Sequence, residues 1–158
     1  MKPLLLTTLI ASTILPLGLT GPQIVSGQTA GGTRLSLVKM VQSLEQDGYG
    51  PFTEVSMDDG NWEVETQKGN ESVELMVDPS SGKVLSEHHD DPDTPPPADA
   101  MPLSKLLQTV MENSHTQDID EVSFERRYWE IEGVRNGQKR ELHVDPITAK
   151  IIADRIDD

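Results

Sequence analysis

Three separated blocks of this chain occur twice, at one fixed distance. Glu54-Val55-Ser56, Trp62-Glu63-Val64-Glu65 and Glu74-Leu75-Met76-Val77-Asp78-Pro79 return as Glu121-Val122-Ser123, Trp129-Glu130-Ile131-Glu132 and Glu141-Leu142-His143-Val144-Asp145-Pro146. Trp129 lies 67 residues after Trp62, as Val122 does after Val55 and Asp145 after Asp78. A constant period carried through separated blocks marks an internal duplication. The chain must therefore fold as two copies of one small unit.

Each copy opens with a helical pattern. Leu35, Val38, Val41 and Leu44 recur with a spacing of three, and Leu103, Leu106, Leu107, Val110 and Met111 mark one face of a second helix. Aligning Leu35-Ser36 with Leu103-Ser104 gives an offset of 68, so one residue is gained or lost before the strands. Ser104 is placed to act as N-cap, with Pro102 just ahead of it. Gly48 and Gly50 stop the first helix, and Asn113-Ser114 the second.

Strand patterns follow. Val55 and Met57 alternate, as do Val122 and Phe124; Trp62, Val64 and Thr66 share a face, as do Trp129, Ile131 and Gly133. Val73, Leu75 and Val77 alternate in the next run, matched by Leu142 and Val144. Asp58-Asp59-Gly60 reads as a turn, and Gly69-Asn70 aligns with the hairpin dipeptide Asn136-Gly137. Final strands are expected over 83–87 and 150–156. The fold class is α+β: two tandem modules, each one helix packed on a three- to four-stranded antiparallel sheet.

Four segments result. Residues 1–30 have a basic start at Lys2, an uncharged apolar run from Leu4 to Leu19 and small residues after it, the pattern of a bacterial Sec-type signal peptide. Residues 33–89 form the first module, 90–100 a Pro/Asp-rich linker and 101–158 the second module. Proline and like charge make the linker an extended, semi-rigid spacer between copies that need not be tightly bound. A module of under about 60 residues is nevertheless marginal alone, so side-by-side packing would help both.

Removing Lys2 with the signal takes the formal net charge from −14 to −15. Nucleic acid and anionic membrane require a basic surface and are excluded as partners on that ground. A basic protein partner or cations remain. The chain has no cysteine, which excludes disulfides, thiol chemistry and lipid attachment at cysteine. The expected location is the periplasm or the medium, with no stable membrane span after cleavage.

At this point the residues resemble the PepSY domain family, over both copies. The resemblance rests on the Leu-Ser helix opening, the Trp-Glu-Val/Ile-Glu strands at 62–65 and 129–132, and the turn Val77-Asp78-Pro79-Ser80-Ser81-Gly82-Lys83-Val84. The second copy of that turn carries Ala149 in place of glycine, which predicts a different turn type there, because alanine tolerates positive φ poorly. The resemblance implies an exported, non-catalytic protein-binding domain that inhibits or restrains a peptidase. The alternative is a sensory or accessory envelope module binding a small ligand or divalent cation.

No catalytic residue is expected: no nucleophile motif, zinc-peptidase helix or phosphate loop is present. No cofactor is expected either. Glu63, Glu65 and Glu74 should project from the face opposite Trp62, and Glu130, Glu132 and Glu141 from the face opposite Trp129, with Tyr128 beside them as an aromatic anchor. These seven residues are the candidate partner-binding set. Asn61 aligns with Tyr128 and Met76 with His143, so the two outer faces should differ. His88, His89, Asp90 and Asp91 are the metal candidates, although adjacent residues of an extended chain point opposite ways.

Overall fold

A computed structural model describes residues 34–157. The expected signal segment lies outside them. The first copy runs α1 (Leu37–Gln46), β1 (Tyr49–Asp58), β2 (Asn61–Lys68), β3 (Glu71–Val77) and β4 (Val84–His89). The second runs α2 (Leu103–Ser114), β5 (Gln117–Glu125), β6 (Tyr128–Arg135), β7 (Gln138–Val144) and β8 (Ile151–Ile156). No described helix is long and apolar enough to cross a membrane.

The helices form where apolar residues recur at i, i+3, i+4 and i+7. In α1 the buried set is Leu37, Met40, Val41 and Leu44; in α2 it includes Leu103, Leu106, Leu107 and Val110. These sets are 66 residues apart, so the Leu-Ser dipeptides are not equivalent. Leu35-Ser36 corresponds to Met101-Pro102, and the second copy has one residue more, not fewer, between helix and strands. The reason is physical: burial phase sets the helix register, and a matching dipeptide does not. Ser104 likewise lies inside α2, behind Pro102 at the cap position. Its N–H and hydroxyl both donate to the Glu45 carboxylate of α1, so one module supplies the cap of the other's helix. Residue 115 ends α2 in the left-handed region, with φ of 56° at His115.

The two sheets are one. Strand order is β4-β3-β2-β1-β5-β6-β7-β8, with every observed pairing antiparallel. At the join Val55 pairs with Val122, Glu54 with Ser123 and Ser56 with Glu121. Val122 is the repeat equivalent of Val55, so equivalent residues meet each other. Residues before it meet residues after it, as a two-fold axis requires. Pairing β1 with β5 hides one exposed edge of each module.

Because the modules join edge to edge and the axis runs through the sheet, both helices lie on one side of it. They pack beside each other, and a single buried core includes residues from both modules. Trp62 and Trp129 sit in it, each 2% exposed. Neither indole N–H has an acceptor among the described residues.

The linker is therefore not a spacer holding loose copies apart. It follows β4, with the Asp90 N–H on the Ser72 carbonyl, and ends with the Met101 N–H on the Pro146 carbonyl. The Asp-Pro turns are alike in both copies. Asp78 Oδ1 accepts from the Ser80 and Ser81 N–H groups, and Asp145 Oδ1 from those of Ile147 and Thr148. The expected change of turn type at Ala149 does not occur: Ala149 takes φ of 55° where Gly82 takes 70°. The carboxylate cradle and the buried Ala149 methyl hold the turn despite the left-handed backbone.

Candidate functional site

With both helices on one face, the other face of the eight strands is left uncovered by either. Period-two alternation decides what it shows. In β2, Trp62, Val64 and Thr66 turn inward, so Glu63 and Glu65 turn out; in β6, Trp129 and Ile131 turn inward, so Glu130 and Glu132 turn out. Glu74 and Glu141 follow the same rule in β3 and β7. The six glutamates expected from sequence are thus brought to one surface.

Register aligns them into rows. Glu54 pairs with Glu65 and Glu65 with Glu74, whose outer neighbour is His88. In the second module Glu121 pairs with Glu132 and Glu132 with Glu141, whose outer neighbour is Arg155. Each module therefore lays three carboxylates directly opposite one another across three strands. Like charges so placed destabilise a sheet. Glu54 and Glu121 were absent from the candidate set, although both stand in the repeated Glu-Val-Ser block and alternate with buried valines.

The strain of this arrangement shows in the acidities. Burial, reinforced by the charges of Glu74, Asp58 and Glu54, raises Glu63 above the ordinary carboxyl range. Burial and the neighbouring Glu54 raise Glu121, and burial and Glu121 raise Glu132. Glu65 goes furthest, to about 7, through burial and a hydrogen bond to the linker's Asp93. Two carboxyl groups can share such a bond only while one keeps its proton. Asp90, Asp91 and Asp93 border a small cleft with Thr53, Glu65, Gln67 and Ser72, so the linker adds charge at the edge of this face.

The second module carries the aromatic group. The Tyr128 ring stacks on the His143 ring, with centroids 4.2 Å apart and planes 17° from parallel. His143 is only 8% exposed. Its Nε2 lies 2.6 Å from Glu141 Oε1 and 3.3 Å from Glu130 Oε2. The Arg155 guanidinium approaches the same Glu141 oxygen at 3.5 Å. Glu130, Glu141 and His143 are the one group of three such donors, among the described residues, whose ligand atoms all lie within 4.8 Å of one another. The first module has Asn61, Glu63, Glu74 and Met76 at these positions, with Met76 exposed.

The other metal candidates do not converge. His88 stands opposite Glu74 and His89 opposite Val73, so the two rings leave opposite faces of β4. Asp90 Oδ1 accepts the Asp91 N–H, and both turn to the linker cleft.

A separate cavity of about 720 Å³ lies on the helix side, lined by Phe52, Pro95, Pro96, Pro97, Leu103 and Trp129 among others. Its counterpart under the pseudo-two-fold, about 480 Å³, lies beside Leu35, Leu37, Trp62, Met111 and Ile119.

Comparison with known proteins agrees with the duplication. The family described as peptidase propeptide and YPEB domain matches twice, over residues 27–88 and 90–155. No curated protein matches the chain. Among solved structures, a candidate lipoprotein from Clostridium difficile 630 is similar at 12% identity and a TM-score of 0.45, over 76% of this chain and 90% of that one. That likeness is too distant to bear on function.

Proposed function

Because the chain belongs to the peptidase propeptide and YPEB domain (PepSY) family, we propose that it is a non-enzymatic, exported protein-binding module that restrains a peptidase. The observation that supports this most is the uncovered face. Two rows of three glutamates lie in direct register, and within them Glu65, Glu121 and Glu132 hold their protons above the ordinary carboxyl range, through burial first and then through repulsion by neighbouring carboxylates. A basic protein surface laid on these rows would relieve that repulsion, and charge complementarity of this kind sets partner choice and association rate. Tyr128, stacked on His143, supplies the aromatic anchor within the charged field. Glu63, Glu65, Glu74, Tyr128, Glu130, Glu132 and Glu141 are the proposed contact residues.

Capture from an envelope extract tests this reading. The expected result is a partner with peptidase activity, retained at low salt and released at high salt. It is lost when Glu65, Glu132 and Glu141 are changed together to glutamine, and its activity falls when the wild-type chain is added. Capture that is indifferent to salt and to the triple substitution would contradict it. A second reading, an accessory envelope module for a small ligand, is favoured by the apolar cavity beneath the linker prolines.

A further inference from the structure

We propose that Glu130, Glu141 and His143 form a binding site for a zinc-like divalent cation on the open face of the second module. The proposal stands on donor chemistry and geometry, and it is independent of whether a peptidase docks on that face.

His143 Nε2 sits between two carboxylates, 2.6 Å from one and 3.3 Å from the other. An imidazole Nε2 carries at most one hydrogen, which cannot point well at both oxygens. A cation placed among the three atoms is served by all of them. Tetrahedral zinc binds nitrogen and oxygen at about 2.0–2.2 Å, which puts ligand atoms roughly 3.3 Å apart. The Glu130 contact already has that separation. The Glu141 contact must open by about 0.7 Å, which rotation of a half-buried carboxylate can supply.

The ligands are also held. Glu130 and His143 are directly opposite on β6 and β7, and Glu141 lies two residues along β7 on the same face. Tyr128 stacks on the imidazole and fixes its plane. Arg155 reaches Glu141 from β8 and can orient that carboxylate from outside, as supporting groups do at metal centres. Glu121 and Glu132 add negative charge alongside.

One imidazole with two carboxylates selects zinc, nickel, cobalt or copper over calcium and magnesium, which take oxygen donors alone. With three protein donors, an outward position is left for water or for a group of a docking protein. The first module is a built-in control: Glu63 and Glu74 keep the carboxylate pair, and Met76 replaces the imidazole.

The test is Zn²⁺ titration of the purified full chain against a chromophoric chelator, with Ca²⁺ and Mg²⁺ as competitors and ¹⁵N spectra of the histidine rings as a second readout. The expected result is one Zn²⁺ per chain, unaffected by excess Ca²⁺ or Mg²⁺, with a shifted His143 Nε2 resonance. His143→Met, which copies the first module, and Glu141→Gln should each weaken binding at least about tenfold. His88→Ala should leave it unchanged. If His143→Met misfolds by circular dichroism, Glu130→Gln takes its place with the same expectation. The proposal is overturned by no binding below about 100 µM Zn²⁺, about 5.5 kcal/mol. An unmoved Nε2 resonance, or affinity that survives loss of His143 or Glu141, overturns it too.

Discussion

Trp62 and Trp129, Val64 and Ile131, and Leu75 and Leu142 stand at equivalent positions of the two modules, and all are buried beneath the helices. On the opposite face, Asn61 and Met76 answer to Tyr128 and His143, and only the second pair stacks. Even the ion pairs at the helix-side rim are shared: Lys68–Glu87 at 2.8 Å and Arg135–Asp154 at 2.7 Å are each other's repeat equivalents. Duplication has kept most of the core and the outward glutamates, and has changed the outward positions 61/128 and 76/143. The comparison teaches where to look for function: the glutamate rows are common to both copies, and Tyr128 and His143 belong to the second alone.

The comparison breaks most visibly at the axis. Val55 and Val122 are both fully buried and face each other across the join. Replacing either by aspartate buries an unpaired charge, and each substitution should cost about 4 kcal/mol or more. Urea unfolding should show the same loss from either side. A loss confined to one module would separate the copies.

The inner faces also differ at Thr66 and Gly133. Thr66 Oγ1 donates to the Pro51 carbonyl at 3.1 Å. A Cβ at Gly133 would lie 2.9 Å from Thr116 Cγ2 and 3.1 Å from the Gln117 carbonyl oxygen. Gly133→Thr, which copies the first module, should therefore destabilise by about 1–3 kcal/mol through overpacking against backbone. Denaturant midpoints at constant m-value would measure it.

A smaller asymmetry sits in the Asp-Pro turns. Gly82→Ala puts a Cβ 2.8 Å from Leu35 Cδ2 at φ of 70° and should cost about 1–2 kcal/mol. Ala149→Gly relieves a left-handed alanine but loses a buried methyl, so its effect should stay under about 1 kcal/mol. Thermal melts of the two variants compare them directly.

The pH dependence is subtler. Glu63, Glu65, Glu121 and Glu132 hold their protons more tightly folded than unfolded, from an ordinary value of 4.5. Their contribution to stability is full below that value and is lost as pH rises through the folded range, which for Glu65 is about 7. Asp78, Asp145 and Asp154 are shifted down, and their contribution disappears only below the ordinary 3.8. Melting temperature should thus be higher near pH 5 than near pH 8. Glu65→Gln should flatten that slope more than Glu132→Gln, since only Glu65 also bonds the linker.

Strand identity, hairpin positions and the direction of each glutamate were readable from period-two alternation, because those properties are local. Helix equivalence does not follow from Leu35-Ser36, since two matching letters say nothing of burial phase. The joined sheet was not readable at all. Val55 and Val122 meet across 67 residues, and nothing local distinguishes an edge strand that pairs from one that stays free. The glutamate rows depended on register as well: Glu54 faces Glu65 because the pairing runs unbroken from the Asp58–Asn61 hairpin end, ahead of the irregularity between Phe52 and Glu54. The Glu130–Glu141–His143 group needed cross-strand pairing before its three members could be seen as neighbours.

Native-state hydrogen exchange tests the joined sheet most directly. The slowest amides of β2 and β3 should open with the same free energy, and the same urea dependence, as those of β6 and β7. That free energy should match global unfolding. Two distinct opening energies, one for each module, would contradict a single cooperative sheet and restore two independent copies on a tether.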